Sequence, residues 1–181
     1  GAGTGDLARE ALRQHPDSLV IAADFTLEMM LTGRARSQDD KVGLAWSAAD
    51  ATQLPFPDQS FDAVVSGFLL RNVVDLPGSL LEQFRVLKPG GRIATLDTTP
   101  PPQNLLTPFM QFHLHTIIPA LGRLFTGQQD AYHYLPDSTE GFLKPEQLTV
   151  RMATAGFEQV RFQRLMLGAI AIHWGRKPDG R

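Results

Sequence analysis

Strand-length apolar runs alternate with amphipathic helices along most of this 181-residue chain. The strand patterns cover residues 19–23, 42–46, 61–65 and 92–96. The helical patterns cover residues 6–15, 76–87 and 145–155, and a further helix follows Thr26 with an expected inner face of Leu27, Met30 and Leu31. Because such alternation requires parallel crossovers, it predicts an α/β fold with a doubly wound, Rossmann-like, mostly parallel sheet.

The alternation changes after Pro100-Pro101-Pro102. Residues 100–141 have the composition of a helical, turn-rich insertion after the fifth strand, with more apolar side chains than one helical stripe needs. Residues 157–164 and 169–174 are separated by a few residues around Gly168, a spacing that predicts a hairpin and hence an antiparallel final strand. No linker divides the chain, so residues 1–181 are expected to form a single domain.

Composition excludes several classes of site. The chain is 43% hydrophobic and carries a formal net charge of −2, which gives no electrostatic basis for binding nucleic acid. It has no cysteine, so disulfides, thiolate zinc sites and cysteine nucleophiles are excluded. The uncharged, largely apolar stretch at residues 104–122 contains two prolines and two histidines, which argues against a membrane-spanning helix and favours a cytoplasmic protein. No metal site is predicted.

The opening segment, Gly1-Ala2-Gly3-Thr4-Gly5, is a glycine-rich loop placed at the start of a helix. Glycines allow the backbone to approach a nucleotide closely, and the helix N-terminus is electropositive. Asp24, followed by Phe25, stands at the end of the next strand, where a carboxylate accepts hydrogen bonds from ribose hydroxyls. An ordinary turn, a helix-capping aspartate and a nicotinamide-dinucleotide site remain open as alternatives at this point.

A second acidic position separates these alternatives. Asp50-Ala51 precedes a loop that continues through Leu54-Pro55-Phe56-Pro57-Asp58 to Ser60-Phe61-Asp62, and this pattern resembles the class I methyltransferases that use S-adenosylmethionine. The resemblance implies that Asp50 accepts a hydrogen bond from the adenine amine and that the Ala51 amide contacts the ring. We interpret Asp58 and Asp62 as turn and strand-start residues.

Further blocks resemble one family, the UbiE/MenG C-methyltransferases of quinone biosynthesis. Five blocks occur in the order typical of that family, and they are Phe68-Leu69-Leu70-Arg71-Asn72-Val73-Val74-Asp75, Arg85-Val86-Leu87-Lys88-Pro89-Gly90-Gly91-Arg92-Ile93, Tyr132-His133-Tyr134-Leu135-Pro136-Asp137-Ser138, Ala155-Gly156-Phe157 and Gly168-Ala169-Ile170-Ala171-Ile172-His173. Where the second block's signature continues with a glutamate and a serine, this chain has Asp97 and Thr99, which keep the functional groups.

The resemblance implies C-methylation of a polyprenylated quinol, either demethylmenaquinol or a polyprenyl methoxybenzoquinol. Arg71 and Asn72 are the candidate catalytic residues, because ligands bind beyond the carboxyl ends of strands in sheets of this kind. A guanidinium stabilises a developing phenolate but stays protonated, so a water or another residue must act as base. The alternative for Arg71 is a structural ion pair, for which Asp75 is the expected partner.

The resemblance also carries expectations about the surroundings of the site. The family has a first strand and N-terminal helices before the glycine loop, so we expect such a segment before Gly1 and, without it, two exposed strand edges. The insertion at residues 100–141 is expected to cover the substrate, with peripheral membrane contact as a further interpretation. An ordinary buried helix or a homodimer contact remains the alternative for its apolar side chains. Each histidine, His173 included, is expected to be packed or on the surface. The remaining alternatives are methylation of another small molecule and a non-catalytic domain that binds S-adenosylmethionine.

Overall fold

The computed structural model describes residues 1–37, 44–100 and 142–180 of the chain. Most of the expected insertion lies outside these ranges, as do the block at residues 132–138 and three of the histidines discussed above. In the ranges that the structure describes, no helix combines the length and apolar character needed to cross a membrane.

The first part of the chain forms a small parallel sheet flanked by two helices. Helix α1 (Asp6–Gln14) follows the glycine loop and leads to strand β1 (Ile21–Asp24). Helix α2 (Leu27–Ser37) then precedes strand β2 (Ala45–Ala48), which pairs in parallel with β1. Helix α1 and strand β1 lie within about two residues of the bounds that the sequence pattern predicts, and α2 begins directly after Thr26 as expected. Strand β2 begins three residues after its expected start, at Ala45.

The remaining elements build a second sheet. They are strand β3 (Phe61–Gly67), helix α3 (Leu76–Val86), strand β4 (Leu87–Thr98), helix α4 (Pro145–Thr154), strand β5 (Glu158–Leu165) and strand β6 (Ile170–Arg176). The strand order is β3-β4-β6-β5, with β3 parallel to β4 and with β6 antiparallel to both of its neighbours. The α/β fold with an antiparallel final strand is therefore confirmed.

The described strands form two sheets, and β1 and β3 each lie at a sheet edge. The first residues of the chain lie between the ends of these two strands. The Ala2 amide donates to the Ala23 carbonyl at the end of β1 (2.9 Å), and a Cβ built on Gly1 would lie 3.0 Å from a methyl of Leu69, just past β3. The glycine loop therefore contacts both halves of the fold.

The main hydrophobic core belongs to the second sheet and its helices. Its buried members are Leu70, Leu80, Leu87, Ile93, Leu148, Met152, Ala155 and Phe157. The rings of Phe84 and Phe157 add an edge-to-face contact with centroids 5.2 Å apart. This core fixes α3 and α4 against the sheet and so fixes the loops at the ends of β3 and β4.

One local expectation is wrong. On α2 only Met30 of the expected inner face is buried, at 7% exposure, whereas Leu27 and Leu31 are more than half exposed. The helix turns Gly33 instead toward the sheet, where the indole of Trp46 fills the space that a side chain would need. Helix α3 ends at Val86, directly before the proline- and glycine-containing segment Lys88–Gly91. That segment lies inside β4, where the register jumps from Leu87 to Arg92 while β3 advances by only two residues.

Candidate active site

The residues singled out by sequence lie at the carboxyl ends of the parallel strands. Asp24 ends β1, and Asp50 follows β2 by two residues. Arg71 follows β3, and Asp97 is the penultimate residue of β4. Since β1 pairs with β2 and β3 with β4 in parallel, each pair shares one sheet edge. This is the edge at which open α/β sheets bind ligands.

The glycine loop is a tight turn that opens α1. Gly3 and Gly5 have positive φ angles of 55° and 82°, a region that favours glycine, and the Gly5 amide donates to the Ala2 carbonyl (2.8 Å). A Cβ on Gly5 would lie 2.6 Å from the indole of Trp46. The backbone of the loop therefore packs directly on β2.

The buried Asp24 side chain holds this loop by accepting a backbone hydrogen bond from it. Its Oδ2 accepts the Gly3 amide (2.6 Å) and its Oδ1 accepts the Thr26 amide (2.8 Å), with the side chain buried. Burial raises the pKa of the Asp24 carboxyl, whereas the backbone hydrogen bonds from Thr26 and Gly3 lower it, and the resulting pKa lies below its ordinary value. Helix capping thus accounts for only one of the two Asp24 carboxylate oxygens, Oδ1. Each oxygen of a carboxylate has a second lone pair, so acceptor capacity remains for a hydroxyl.

Arg9, on α1, contacts the glycine loop and was missed by sequence reasoning. Its Nη2 donates to the Thr4 carbonyl (2.8 Å) and more weakly to the Gly33 carbonyl on α2 (3.3 Å). Its Nη1 pairs with Asp6, whose other oxygen accepts the Thr4 hydroxyl. The i, i+3 spacing of an aspartate and an arginine at a helix start was the available signal.

Asp50 differs from Asp24 because it is exposed. Its Oδ1 accepts both the amide and the hydroxyl of Thr52 (2.8 and 2.7 Å), and these bonds lower the pKa of the Asp50 carboxyl. Among the described residues, Oδ2 accepts no hydrogen bond. The preceding residue, Ala49, donates its amide to the Asp24 carbonyl (2.9 Å), so the two acidic positions belong to adjoining strand ends. Phe25 lies beside them with its side chain 79% exposed.

Arg71 is held by Asp97. Its Nη1 lies 3.4 Å from Asp97 Oδ1 and its backbone amide donates to Oδ2 (3.2 Å), while the guanidinium lies over the Phe68 ring, 4.8 Å from the centroid. The expected partner, Asp75, caps α3 instead by accepting the Gly78 amide. The ion-pair interpretation therefore had the wrong acid, because a tertiary contact replaces the local i, i+4 pair.

Asp97 is the second site residue whose role sequence reasoning missed. Its side chain is 2% exposed, and burial raises the pKa of its carboxyl despite the hydrogen bond from the Thr98 amide and the charge of Arg71. Within the described ranges, Arg71 Nε and the hydroxyls of Thr98 and Thr99 are buried without a partner. Buried polar groups with unused hydrogen-bonding capacity therefore lie at the end of β4.

Four other residues singled out by sequence have structural contacts. The Asn72 amide group donates to the Phe68 carbonyl (2.8 Å) and its side chain is exposed. Asp62 pairs with Lys88 and Asp58 with Arg85, consistent with the turn and strand-start interpretation. His173 is buried, with Nε2 3.0 Å from the Pro145 carbonyl and its ring stacked on Phe162. As expected, His173 is packed and lies away from the strand ends.

The residues present fit an adenosyl group. Two carboxylates that accept hydrogen bonds lie at adjoining strand ends, and a loop that contains three glycines lies beside one of them. Carboxylate oxygens suit the hydroxyls of a ribose and the amine of a purine.

Comparisons with known proteins agree with this geometry. The chain is 45% identical over 97% of its length to the ubiquinone/menaquinone biosynthesis C-methyltransferase UbiE of Desulfotalea psychrophila, covering 70% of that protein. It is 41% identical over 97% of its length to the demethylmenaquinone methyltransferase of Thermus thermophilus, covering 80% of that protein. Among solved structures, the phosphoethanolamine N-methyltransferase 2 of Haemonchus contortus in complex with S-adenosyl-L-methionine is similar to this chain with a TM-score of 0.72. The match covers 99% of this chain and 47% of that protein at 16% sequence identity, so it shows the fold alone.

The family comparison covers nearly the whole chain. The model of the ubiE/COQ5 methyltransferase family matches residues 1–177, which include the glycine loop, both acidic positions and all five signature blocks. The methyltransferase class expected from those blocks is thereby confirmed. This chain belongs to the ubiE/COQ5 methyltransferase family.

Proposed function

We propose that the chain methylates a ring carbon of a polyprenylated quinol in quinone biosynthesis, with S-adenosylmethionine as methyl donor. The substrate is demethylmenaquinol or 2-polyprenyl-6-methoxy-1,4-benzoquinol. The observation that carries this proposal is the 45% and 41% identity, over 97% of the chain, to enzymes named for these reactions.

The proposed donor site lies around the glycine loop and the two acidic positions. Asp24 is assigned to the ribose hydroxyls, and Asp50 with the Ala51 amide to the adenine. Phe25, exposed beside Asp24, is assigned to a face of the adenosyl group. The backbone of the glycine loop completes the site, and its assigned residues are Gly1, Gly3, Thr4 and Gly5.

The proposed acceptor site lies at the ends of β3 and β4. Bound S-adenosylmethionine supplies an electrophilic methyl group. A quinol carbon is a weak nucleophile until a neighbouring hydroxyl loses its proton, and a fixed cation stabilises the resulting phenolate. Arg71 is the cation in this proposal, because Asp97 holds its guanidinium at a buried position. Asn72 is proposed to orient the quinol, and a water or another residue takes the proton.

The arrangement of the whole chain is also part of the proposal. Residues 1–181 are proposed to form a single methyltransferase domain in which residues 100–141 cover the substrate. A lipid quinol further suggests peripheral contact with the inner face of the membrane, and the same apolar segment is the candidate contact of a homodimer. Vesicle flotation with and without menaquinone, together with analytical ultracentrifugation, tests these two points separately.

Paired methylation assays test the proposed reaction. The protein is incubated with S-adenosylmethionine and with a short-tailed demethylmenaquinol, a short-tailed methoxybenzoquinol or a catechol, and products are identified by mass spectrometry. Gain of one methyl group on the ring carbon of a quinol is expected. Methylation of the catechol alone would favour another small-molecule substrate, and donor binding in calorimetry without any transfer would favour a non-catalytic domain.

A further inference from the structure

The loop between β2 and β3 carries the proposed adenine contacts but has little regular structure of its own. Within it, Asp50 and Gln53 form one isolated bridge, and the Gln53 amide donates to the Asp50 carbonyl (3.1 Å). The next residue, Leu54, has both of its peptide groups bonded to side chains of α3. Its amide donates to Glu82 Oε2 (2.8 Å) and its carbonyl accepts from Arg85 Nη2 (3.0 Å).

The guanidinium of Arg85 makes as many hydrogen bonds as it has donors. Nε and Nη2 form a bidentate pair with Glu82 (both 2.8 Å), and Nη2 also donates to the Leu54 carbonyl. Nη1 donates to the Phe56 carbonyl (2.8 Å) and to Asp58 Oδ1 (2.7 Å). An arginine has five N–H donors in a fixed plane, and all five are used here. A lysine has three donors around a single point and cannot reproduce this set.

These contacts connect α3 to the adenine side of the proposed donor site through a short path. Arg85 and Glu82 fix Leu54, Leu54 follows Gln53, and Gln53 is bonded to Asp50. At the other end of the turn, the Ala49 amide is fixed by the Asp24 carbonyl. The turn from Asp50 to Gln53 is therefore held between β1 and α3.

From this arrangement we infer that Arg85, together with Glu82, is a positioning residue for S-adenosylmethionine binding. Its hydrogen bonds to residues 54–58 fix the positions of Asp50 and Ala51. The inference rests on the proposed function, because it assumes that the donor's adenine lies at Asp50. Arg85 touches neither donor nor acceptor in this account. Its effect should therefore appear in the affinity for the donor and leave the acceptor's KM unchanged.

Calorimetric titration with S-adenosylmethionine tests the inference in Arg85→Lys and Glu82→Gln. Both variants are expected to raise the donor Kd by about tenfold, since each removes charge-assisted bonds that fix the loop. The KM for the quinol should change by less than about twofold, a split that loss of overall stability would not produce. Hydrogen exchange at the Leu54 amide should become faster in Glu82→Gln, which has lost the acceptor's charge.

The chain offers a matched control. Arg13 and Glu10 on α1 form the same bidentate i, i+3 pair (2.7 and 2.6 Å) on an exposed face, and no loop carbonyl of the described residues joins them. Arg13→Lys and Glu10→Gln should leave the donor Kd unchanged. The inference is overturned if Glu82→Gln binds the donor with unchanged affinity although exchange at Leu54 becomes faster, and if Asp50→Ala still weakens donor binding. Should Asp50→Ala also bind normally, the donor site itself is misplaced and the proposed function loses its adenine contact.

Discussion

At the residue scale, Asp24 joins the glycine loop to the start of α2. Its two oxygens accept one amide from each segment, at 2.6 and 2.8 Å. Such charge-assisted bonds to backbone amides are roughly twice as strong as neutral ones. A single side chain therefore shapes the loop and also offers the acceptor capacity proposed for the ribose.

Replacement of Asp24 by alanine is expected to weaken donor binding by about a hundredfold, because both the loop contact and the ribose acceptor are lost. Isothermal titration with S-adenosylhomocysteine measures this change. Asp17→Ala, at an exposed position in the turn after α1, is the control and should bind normally. Normal binding by Asp24→Ala would remove Asp24 from the proposed site.

Asp97 and Asp75 allow a similar test of the acceptor site. Asp97→Asn keeps the shape of the side chain but removes the charge beside Arg71, so kcat should fall about tenfold or more while the donor Kd changes little. Asp75→Asn should leave kcat unchanged, since asparagine also caps helices well. Steady-state kinetics with a short-tailed quinol decides between them. A larger loss of kcat in Asp75→Asn would restore the local pair as the functional one.

At the element scale, β6 is joined to α4 through a buried histidine. A carbonyl only accepts hydrogen bonds, so the contact with Pro145 requires His173 to carry its proton on Nε2. Within the described part of the chain, Nδ1 is buried without a partner. Burial lowers the pKa of the His173 ring, more than the Pro145 carbonyl raises it.

The direction of this pKa shift predicts acid sensitivity. The unfolded chain takes up a proton on His173 at about pH 6.5, whereas the folded chain does so only at a lower pH. Stability is therefore fully present above the unfolded pKa and is lost as the pH falls toward the folded pKa, by up to about 1.4 kcal/mol per pH unit. Urea unfolding between about pH 7 and pH 5 should show a shallower decline in His173→Gln, which can keep the bond to Pro145. Exposed His15→Gln is the control, and an equal decline in both variants would contradict the assignment.

Sequence patterns located the elements well but missed contacts between distant segments. The strand and helix periodicities, with Pro and Gly as boundaries, predicted most of the described elements. They failed on α2, where the space beside Gly33 is filled by Trp46 from β2 rather than by the leucines of the helix itself. They also missed Lys177, whose ammonium group donates to the Phe84 and Leu87 carbonyls (both 2.8 Å) at the end of α3.

The candidate site likewise has residues that local sequence patterns identified and contacts between distant segments that they missed. Asp24 and Asp50 were identifiable because a carboxylate directly after a buried strand has a fixed place in a parallel sheet. The Arg71–Asp97 and Arg85–Leu54 contacts were not, because their partners are 26 and 31 residues apart. A spacing rule reaches one or two helical turns, so such partners become visible only in the folded chain.

At the scale of the whole molecule, the proposed site draws on both sheets. The glycine loop, Asp24 and Asp50 lie at the sheet of β1 and β2, whereas Arg71 and Asp97 lie at the sheet of β3 and β4. The first residues of the chain contact the ends of both β1 and β3. A ligand in this place would therefore connect two parts of the fold that do not share a strand pair in the described residues.

Donor binding should consequently protect backbone amides in β1 and β3 together. Hydrogen exchange measured with and without S-adenosylhomocysteine tests this, and at a hundredfold excess over Kd the stabilisation should approach about 2.7 kcal/mol. NADH serves as the matched ligand and should protect neither strand. Protection confined to β1 and β2 would place the ligand on one sheet only.

The internal closure of the glycine loop by Asp24 has an energetic consequence for association. The loop backbone is already ordered by bonds within the protein, so its conformational entropy is lost during folding and not again when a ligand arrives. Encounter with the donor then requires no rearrangement of this segment. Substitutions that loosen the loop transfer that ordering cost from the folding reaction to the binding reaction.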